Sequence, residues 1–234
     1  VIVLDRPNPN GFYIDGPVLK RENQSFVGLH QVPIVYGLTI GEYALMVNGE
    51  YWLKDSLQCA LKVIPLGNYN RRSIYKLAVK PSPNLPNWES VYLYPSLCFF
   101  EGTIVSVGRG TETPFQVYGH PDMNGEYNFT PNQAEGRNKP LLCDKECHGE
   151  FLLDYAHNYK KNEKEINLSW LLSAYNQLKD NEKFFNNFFI KLAGTDELRK
   201  QIESGLTEEE IRASWKEDLD NYKKIRAKYL LYKD

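Results

Sequence analysis

The chain has 234 residues, which is long enough to bury a substantial core as one large domain or two small ones. Its 28 Lys and Arg nearly balance its 30 Asp and Glu, which argues against a partner with a phosphate backbone such as nucleic acid. No apolar run reaches the length of a membrane span, and the mean hydropathy is −0.51.

The first residues predict a buried strand. "VIVLD" is a run of apolar, largely β-branched residues of the kind that parallel sheets bury on both faces. Such a strand needs neighbours, and no initiating Met or signal peptide precedes it. We therefore expect Val1 to be an internal position of a longer protein, whose targeting segment would lie upstream.

Polar residues follow this strand. Asp5, Arg6 and Asn8 lie in a loop that Pro7 and Pro9 stiffen. In open α/β sheets the carboxyl end of a strand is where ligands bind, so the three side chains are candidates for ligand contacts. An Asp–Arg pair that only stiffens the loop explains them equally well.

A helix and a second strand come next. Thr39 and Glu42 have the spacing of a capping box, which predicts a helix that begins near Ile40. Glu42 is therefore first a capping residue and only second a candidate catalytic acid. "CALKVIPL" (59–66) predicts a strand, so residues 1–67 predict an α/β unit with a parallel sheet.

The rest of the chain predicts an α+β domain over 68–234. Its first part is punctuated by Pro and Gly, with strands expected only at "SIYKLAV" (73–79) and "CFFEGTIVSVG" (98–108). "GEFLLDYA" (149–156) predicts a further strand and "NLSWLLSAYNQLKD" (167–180) a helix. A long final helix follows a second capping box, formed by Thr207 and Glu210.

The strongest polar motif is "EGTIVSVGRGT". Glu101 and Arg109 flank an apolar segment, and the glycines on either side of Arg109 allow the backbone to approach a ligand closely. Arg109 could clamp a carboxylate or simply pair with Glu101. Asn84, in the rigid segment "PSPNLP", could bind a ligand hydroxyl or form an Asx turn.

The cysteines give a weak signal. "CDKECH" places Cys143, Cys147 and His148 close together, but not at the two-residue spacing that zinc sites favour. A local disulfide or free thiols are better interpretations than a metal site, and Cys98 reads as a core residue. We expect no cofactor, because no P-loop, dinucleotide fingerprint, nucleophile elbow or H-E-x-x-H motif occurs.

Seven motifs in order over nearly the whole chain resemble one family. "VLDRPNPNG", "SFVG", "YGLTIGE", "PSPNLP", "FEGT", "GRGT" and the terminal "YLLY" are similar to those of the bacterial NamZ-type exo-β-N-acetylmuramidases. The resemblance implies a Rossmann-like N-terminal domain, of which residues 1–67 are the end, an α+β C-terminal domain over 68–234, and a sugar cleft between the two.

The resemblance also implies a function. Such glycosidases release N-acetylmuramic acid from the non-reducing end of peptidoglycan fragments during cell wall recycling, in the periplasm or outside the cell, and the N-terminal domain of the same protein would be the partner. The family's candidate acid, the Glu of a Pro-Glu-His-Gly motif, is absent here. Tyr36 and Lys80 also depart from the expected pattern. A non-catalytic module that binds muramyl sugars is the alternative.

The implied site is one cleft in which Arg109 binds the lactyl carboxylate of the sugar. Glu101 is expected to orient Arg109. The catalytic residue is unassigned, with Glu101 and Glu42 as weak candidates. The residues expected to bind substrate are Asp5, Arg6, Asn8, Asn84, Glu101, Arg109 and Thr111.

Overall fold

The computed structural model describes residues 1–72, 74–136, 138–162, 164–180 and 183–233. Its strands are β1 (Ile2–Leu4), β2 (Asp15–Val18), β3 (Pro33–Val35), β4 (Lys62–Ile64), β5 (Val117–His120), β6 (Tyr127–Phe129) and β7 (Cys147–Phe151). Its helices are α1 (Ile40–Gly49), α2 (Trp88–Leu97), α3 (Leu153–His157), α4 (Ser169–Leu178), α5 (Phe188–Ala193), α6 (Glu197–Glu203) and α7 (Glu208–Arg226). The predicted mixed α/β fold class is confirmed.

The predicted parallel pairing is present as a small sheet. β1 pairs with β4 in parallel, with Val3 opposite Val63. The expectation that β1 is fully buried is wrong for the described chain, because Ile2 and Leu4 expose 68% and 69% of their surface. β4 is the one strand that pairs with β1 among the described residues. Its membership of a larger Rossmann-like sheet, and a domain boundary at residue 67, remain predictions.

Both predicted capping boxes are confirmed. The Thr39 hydroxyl accepts from the Glu42 backbone N–H, and the Glu42 carboxylate accepts from the Thr39 N–H at 2.9 Å. Thr207 and Glu210 make the same reciprocal contacts at the start of α7. These contacts satisfy two of the N–H groups that the first turn of a helix leaves without partners, so both helices begin where the sequence predicts.

Two predicted strands are wrong. Residues 74–79 form a loop, and residue 73 lies outside the described residues. Residues 98–102 form a 3₁₀ helix that continues α2, and Ser106 makes only an isolated bridge to Gly119. The segment is apolar because Phe99 and Phe100 enter the core, and a short apolar run does not distinguish a buried helical turn from a buried strand.

A three-stranded antiparallel sheet lies in the second half, in the order β5-β7-β6. The strand predicted over 149–156 is shorter than expected, since β7 ends at Phe151 and α3 begins two residues later. The main core forms around the predicted helices α4 and α7 together with the 3₁₀ segment, which fixes the position of the following "GRGT" turn.

Candidate functional site

A surface groove of about 370 Å³ contains the central residue of the "GRGT" motif. We call it the Arg109 groove. Three segments of the chain line it: the Pro-rich loop at 81–86, the "GRGT" turn, and the residues at 132–136 and 138–141. The lining includes Asn84, Arg109, Gly110, Asn132, Asn138 and Lys139.

The turn that carries Arg109 depends on its glycines. Gly108 and Gly110 have φ angles of +72° and +85°, a region that residues with a Cβ atom rarely adopt. The Asn132 N–H donates to the Gly110 carbonyl at 3.0 Å, and a Cβ atom on Gly110 would lie 2.5 Å from the Asn132 oxygen. Thr111 holds the turn closed, because its hydroxyl donates to the Gly108 carbonyl at 2.7 Å.

Arg109 is held on one side and open on the other. Its guanidinium donates to the Glu101 carboxylate and lies 5.1 Å from the centre of the Phe115 ring. Its side chain is nevertheless 40% exposed, whereas that of Glu101 is 18% exposed. A guanidinium has five N–H donors, so this arrangement leaves a fixed cation that can donate to a ligand in the groove.

Besides Arg109, the neighbours of Glu101 include Tyr94 and Cys98, both of which are uncharged at neutral pH. Burial raises the pKa of Tyr94, and nearby Cys98 and Glu101 raise it further. Burial likewise raises the pKa of the Cys98 thiol to about 12. Cys98 is a core residue, as predicted, and at neutral pH its thiol is protonated and unsuited to nucleophilic attack.

Asp5 lies elsewhere, in a buried polar group that we call the α1 cluster, made of Asp5, Thr39, Glu42, Arg71 and Tyr232. The Asp5 carboxylate accepts from the Thr39 hydroxyl and the Gly41 N–H, both at 2.7 Å. It also accepts from the Tyr232 hydroxyl at 2.5 Å. These contacts join the first strand, the start of α1 and the end of the chain, which is a structural role.

Glu42 is enclosed in the same cluster. Its side chain has no exposed surface, and its two oxygens lie 2.6 Å and 3.0 Å from the guanidinium nitrogens of Arg71. It also accepts from the Leu231 N–H at 2.8 Å. Glu42 therefore has no face toward solvent from which it could act on a sugar. The sequence did not single out Arg71, because its partner is 29 residues away.

Arg6 and Asn8 are near the α1 cluster rather than the groove. Arg6 is exposed. The Asn8 amide donates to the Leu38 carbonyl at 2.8 Å and accepts from the Asn10 N–H at 2.9 Å, so both of its ends are used locally. The structure thus places Asn84 and Arg109 on the lining of the Arg109 groove, with Glu101 and Thr111 behind them as supports of Arg109 and its turn. Asp5, Arg6 and Asn8 do not line this groove. Their contact with a sugar stays a prediction.

Sequence reasoning missed three groove residues. Asn132 and Asn138 bring amide groups and Lys139 brings an ammonium group, and all three are exposed. Their segment, "TPNQAEGRNKP", predicts only a loop punctuated by Pro and Gly. That punctuation was the available signal, because loops held by a rigid scaffold commonly carry binding residues.

The cysteine motif is not assembled as a metal site. Cys147 is buried against Val117 and Phe129, while the Cys143 thiol donates to the Asp144 carboxylate at 3.3 Å. The four cysteines are free thiols. Within the described ranges no group of three His, Cys, Asp or Glu side chains could hold a metal ion. In the same ranges, none of the helices has the length and apolar character needed to cross a membrane.

Known proteins resemble the chain along its whole length. Two family models match in succession, the N-terminal model of exo-beta-N-acetylmuramidase NamZ over residues 1–89 and the C-terminal model over 92–232. The peptidoglycan beta-N-acetylmuramidase NamZ of Bacillus subtilis (strain 168) is 34% identical over 256 residues, which cover 99% of this chain and 59% of the relative.

Two solved structures of DUF1343 family proteins from Bacteroides fragilis are also similar. One is 50% identical with a TM-score of 0.93, and the match covers all of this chain and 66% of that chain. The other is 24% identical with a TM-score of 0.81, covers 99% and 66%, and shows the shared fold alone. The chain therefore spans less than two thirds of the length of these three relatives.

Proposed function

This chain belongs to the NamZ family of exo-β-N-acetylmuramidases, as its motifs indicated, and we propose that it functions in a peptidoglycan β-N-acetylmuramidase, a glycoside hydrolase. In finer detail, we propose that it forms the later part of an enzyme that releases N-acetylmuramic acid from the non-reducing end of peptidoglycan fragments. The name of the Bacillus subtilis relative supports the assignment to a peptidoglycan β-N-acetylmuramidase. A location in the periplasm or outside the cell is part of the proposal.

The observation that carries the proposal is the half-open guanidinium of Arg109. N-acetylmuramic acid differs from N-acetylglucosamine by a lactyl group that ends in a carboxylate. An Arg side chain that Glu101 and Phe115 hold in place can donate two parallel hydrogen bonds to such a carboxylate. We therefore assign Arg109 to the recognition of the group that distinguishes the two sugars.

The rest of the Arg109 groove suits a sugar. Asn84 and Asn132 provide amides that can both donate to and accept from hydroxyl groups. Lys139 adds a second cation on the same lining, which favours an anionic sugar over a neutral one. A volume of about 370 Å³ is within the range of small-molecule sites.

We assign no catalytic acid to this chain. Glycoside hydrolysis needs a carboxyl group that protonates the leaving oxygen. Glu42 is enclosed, and Glu101 is bound to Arg109, so we propose that Glu101 orients Arg109. The sequence contains no Pro-Glu-His-Gly motif. The second candidate function is a module that binds muramyl sugars without cleaving them.

The experiment is turnover of a chromogenic β-N-acetylmuramide and its N-acetylglucosamine counterpart by the gene product that contains this chain. We expect cleavage of the muramide, and we expect Arg109→Ala to lower kcat/KM for it by roughly ten- to a hundredfold, the cost of one charge-assisted contact. The kcat/KM for the glucosaminide should hardly change, because that sugar lacks the carboxylate.

Arg199→Ala is the matched control. Arg199 pairs with Glu203 at 2.8 Å and lies 5.5 Å from the Phe185 ring, but it does not line the groove. It should leave both activities unchanged. Sugar binding without turnover by the gene product would favour the binding module, and neither binding nor turnover would reject both functions. If the 234-residue chain alone cleaves the muramide, Glu101 or Glu42 must be the catalytic residue.

A further inference from the structure

A second cavity, of about 340 Å³, shares no lining residue with the Arg109 groove. We call it the basic cavity. Five cationic side chains line it: Arg71, Arg72, Lys164, Lys223 and Arg226. We propose that the basic cavity is a binding site for a small molecule that carries a phosphomonoester group. The proposal does not rest on the proposed muramidase function.

Two of the cations form a rigid floor. Arg71 and Arg226 are buried, and both guanidinium groups donate to the carbonyl oxygen of Gly37, at 3.0 Å from Arg71 and at 2.9 Å and 3.0 Å from Arg226. Glu42 further fixes Arg71. Because these side chains are already ordered, little additional conformational entropy is lost when a ligand binds against them.

Three further cations form an adjustable rim. Arg72, Lys164 and Lys223 are exposed, and they come from three separate segments, the loop after β4, the loop before α4 and the helix α7. The Lys223 ammonium lies 3.3 Å from the Asp220 carboxylate in a pair that is about half exposed on each side. Exposed pairs of this kind contribute little stability, so a ligand can compete for Lys223.

The charge of the cavity is unusual for this chain. The chain as a whole has a net charge of −2, yet the described residues that line the cavity include five cations and no Asp or Glu. Glu42 offsets the charge of Arg71 from behind, and Asp220 partly offsets that of Lys223. Clustered like charges create a positive potential that attracts an anion.

A phosphomonoester fits this charge better than a carboxylate does. At neutral pH it carries a charge of about −1.5 to −2 and three acceptor oxygens. Arginine forks match phosphate geometry, and lysine adds a point charge that can approach from several directions. A single carboxylate has one charge and two oxygens, so it would use fewer of the five cations.

The remaining wall indicates that the phosphate is attached to a larger molecule. Phe12 and Tyr13 have ring centres 4.9 Å apart, and with Ile14 they line one side of the cavity. Aromatic faces pack well against the apolar faces of rings, including sugar rings. The ligand class is therefore a phosphorylated ring compound rather than inorganic phosphate.

The test is calorimetric titration of the 234-residue chain with glucose 6-phosphate, inorganic phosphate, glutamate and glucose. We expect glucose 6-phosphate to bind most tightly, inorganic phosphate more weakly and glucose not at all. Lys223→Ala and Arg72→Ala should each weaken glucose 6-phosphate binding by roughly tenfold, the loss of one charge-assisted contact. Both side chains are exposed, so both variants should fold.

Lys224→Ala is the matched control, because Lys224 is the next residue on α7, is also exposed and does not line the cavity. It should leave the affinity unchanged. Equal weakening by Lys224→Ala would show a general charge effect and overturn the site. Unchanged binding in Lys223→Ala and Arg72→Ala would also overturn it. If glutamate binds as tightly as glucose 6-phosphate, the assignment to a phosphomonoester is wrong.

Discussion

The chain contains two Arg–Glu pairs that the fold treats in opposite ways. In the α1 cluster the Glu42 and Arg71 side chains are 0% and 3% exposed. Beside the groove the Glu101 and Arg109 side chains are 18% and 40% exposed. The chemistry of the pair is the same, so the difference in burial decides whether the arginine stabilises the fold or remains available to a ligand.

The surroundings of each pair explain the difference. Glu42 also accepts from the Thr39 and Leu231 backbone N–H groups, so the buried carboxylate connects the start of α1 to the end of the chain. Arg109 instead lies in a turn whose flanking glycines have positive φ, at the edge of a groove. A buried pair depends on the additional hydrogen bonds around it, whereas a half-exposed pair can exchange partners with solvent or a ligand.

The largest expected effect is a loss of stability when the buried Glu42–Arg71 pair is changed. Glu42→Gln removes the charge that Arg71 faces and leaves a buried cation, which typically costs about 3–5 kcal/mol. Glu101→Gln should lower the free energy of unfolding by less than about 1 kcal/mol, because its partner is partly solvated. Urea denaturation of both variants measures the difference. Losses of similar size would remove the distinction between the two pairs.

A smaller effect tests the turn that presents Arg109. Gly110→Ala would place a Cβ atom 2.5 Å from the Asn132 oxygen at a φ of +85°. Gly136→Ala is a matched control, since Gly136 has a φ of +72° but no atom within 4 Å of the added carbon. Backbone strain of this type costs about 1–3 kcal/mol in both variants. Gly110→Ala should lower the thermal stability more than Gly136→Ala does. Equal thermal stability of the two variants would contradict the close approach of Gly110 to Asn132.

The smallest of these stability effects concerns Tyr232. Its hydroxyl donates to Asp5 and accepts from the Leu66 N–H at 2.8 Å, so Tyr232→Phe should cost about 1 kcal/mol. Burial, followed by the hydrogen bond to Asp5, raises the pKa of Tyr232 to about 12 from its ordinary value of 10.0.

This pKa shift gives a pH dependence with a definite sign. Between pH 10 and 12 the unfolded chain loses the Tyr232 proton while the folded protein keeps it. The unfolded state then binds fewer protons, so stability falls as the pH rises. The fall should be shallower in Tyr232→Phe, measured by urea denaturation at pH 8, 10 and 11. Identical slopes for both proteins would show that Tyr232 is not held in the α1 cluster.

Local signals made part of this architecture predictable. Thr39 and Thr207 begin helices because each side chain bonds within its own first turn, which a motif of four consecutive residues specifies. β1 and β4 were predictable from apolar composition. By contrast, α2 was missed because Pro95 lies within it, and the short strands β5 and β6 lie within a segment rich in Gly and turn residues.

The sites were less predictable because their contacts are long-range. The sequence identified Glu101 and Arg109 as a possible pair, since only eight residues separate them. It could not show that the Asp5 carboxylate accepts a hydrogen bond from Tyr232, which is 227 residues away. Sequence patterns indicate which side chains can do chemistry, but the distant segments that cover or expose them are known only from the folded chain.

The central claim is that the Arg109 groove, and not the α1 cluster, receives the muramyl sugar. The most direct measurement is a crystal structure of the protein with N-acetylmuramic acid bound. We predict that the lactyl carboxylate lies within about 2.7–2.9 Å of the Arg109 guanidinium nitrogens, the distance of a charge-assisted hydrogen bond. A sugar bound beside Asp5 or Glu42, with Arg109 contacting Glu101 alone, would contradict the claim.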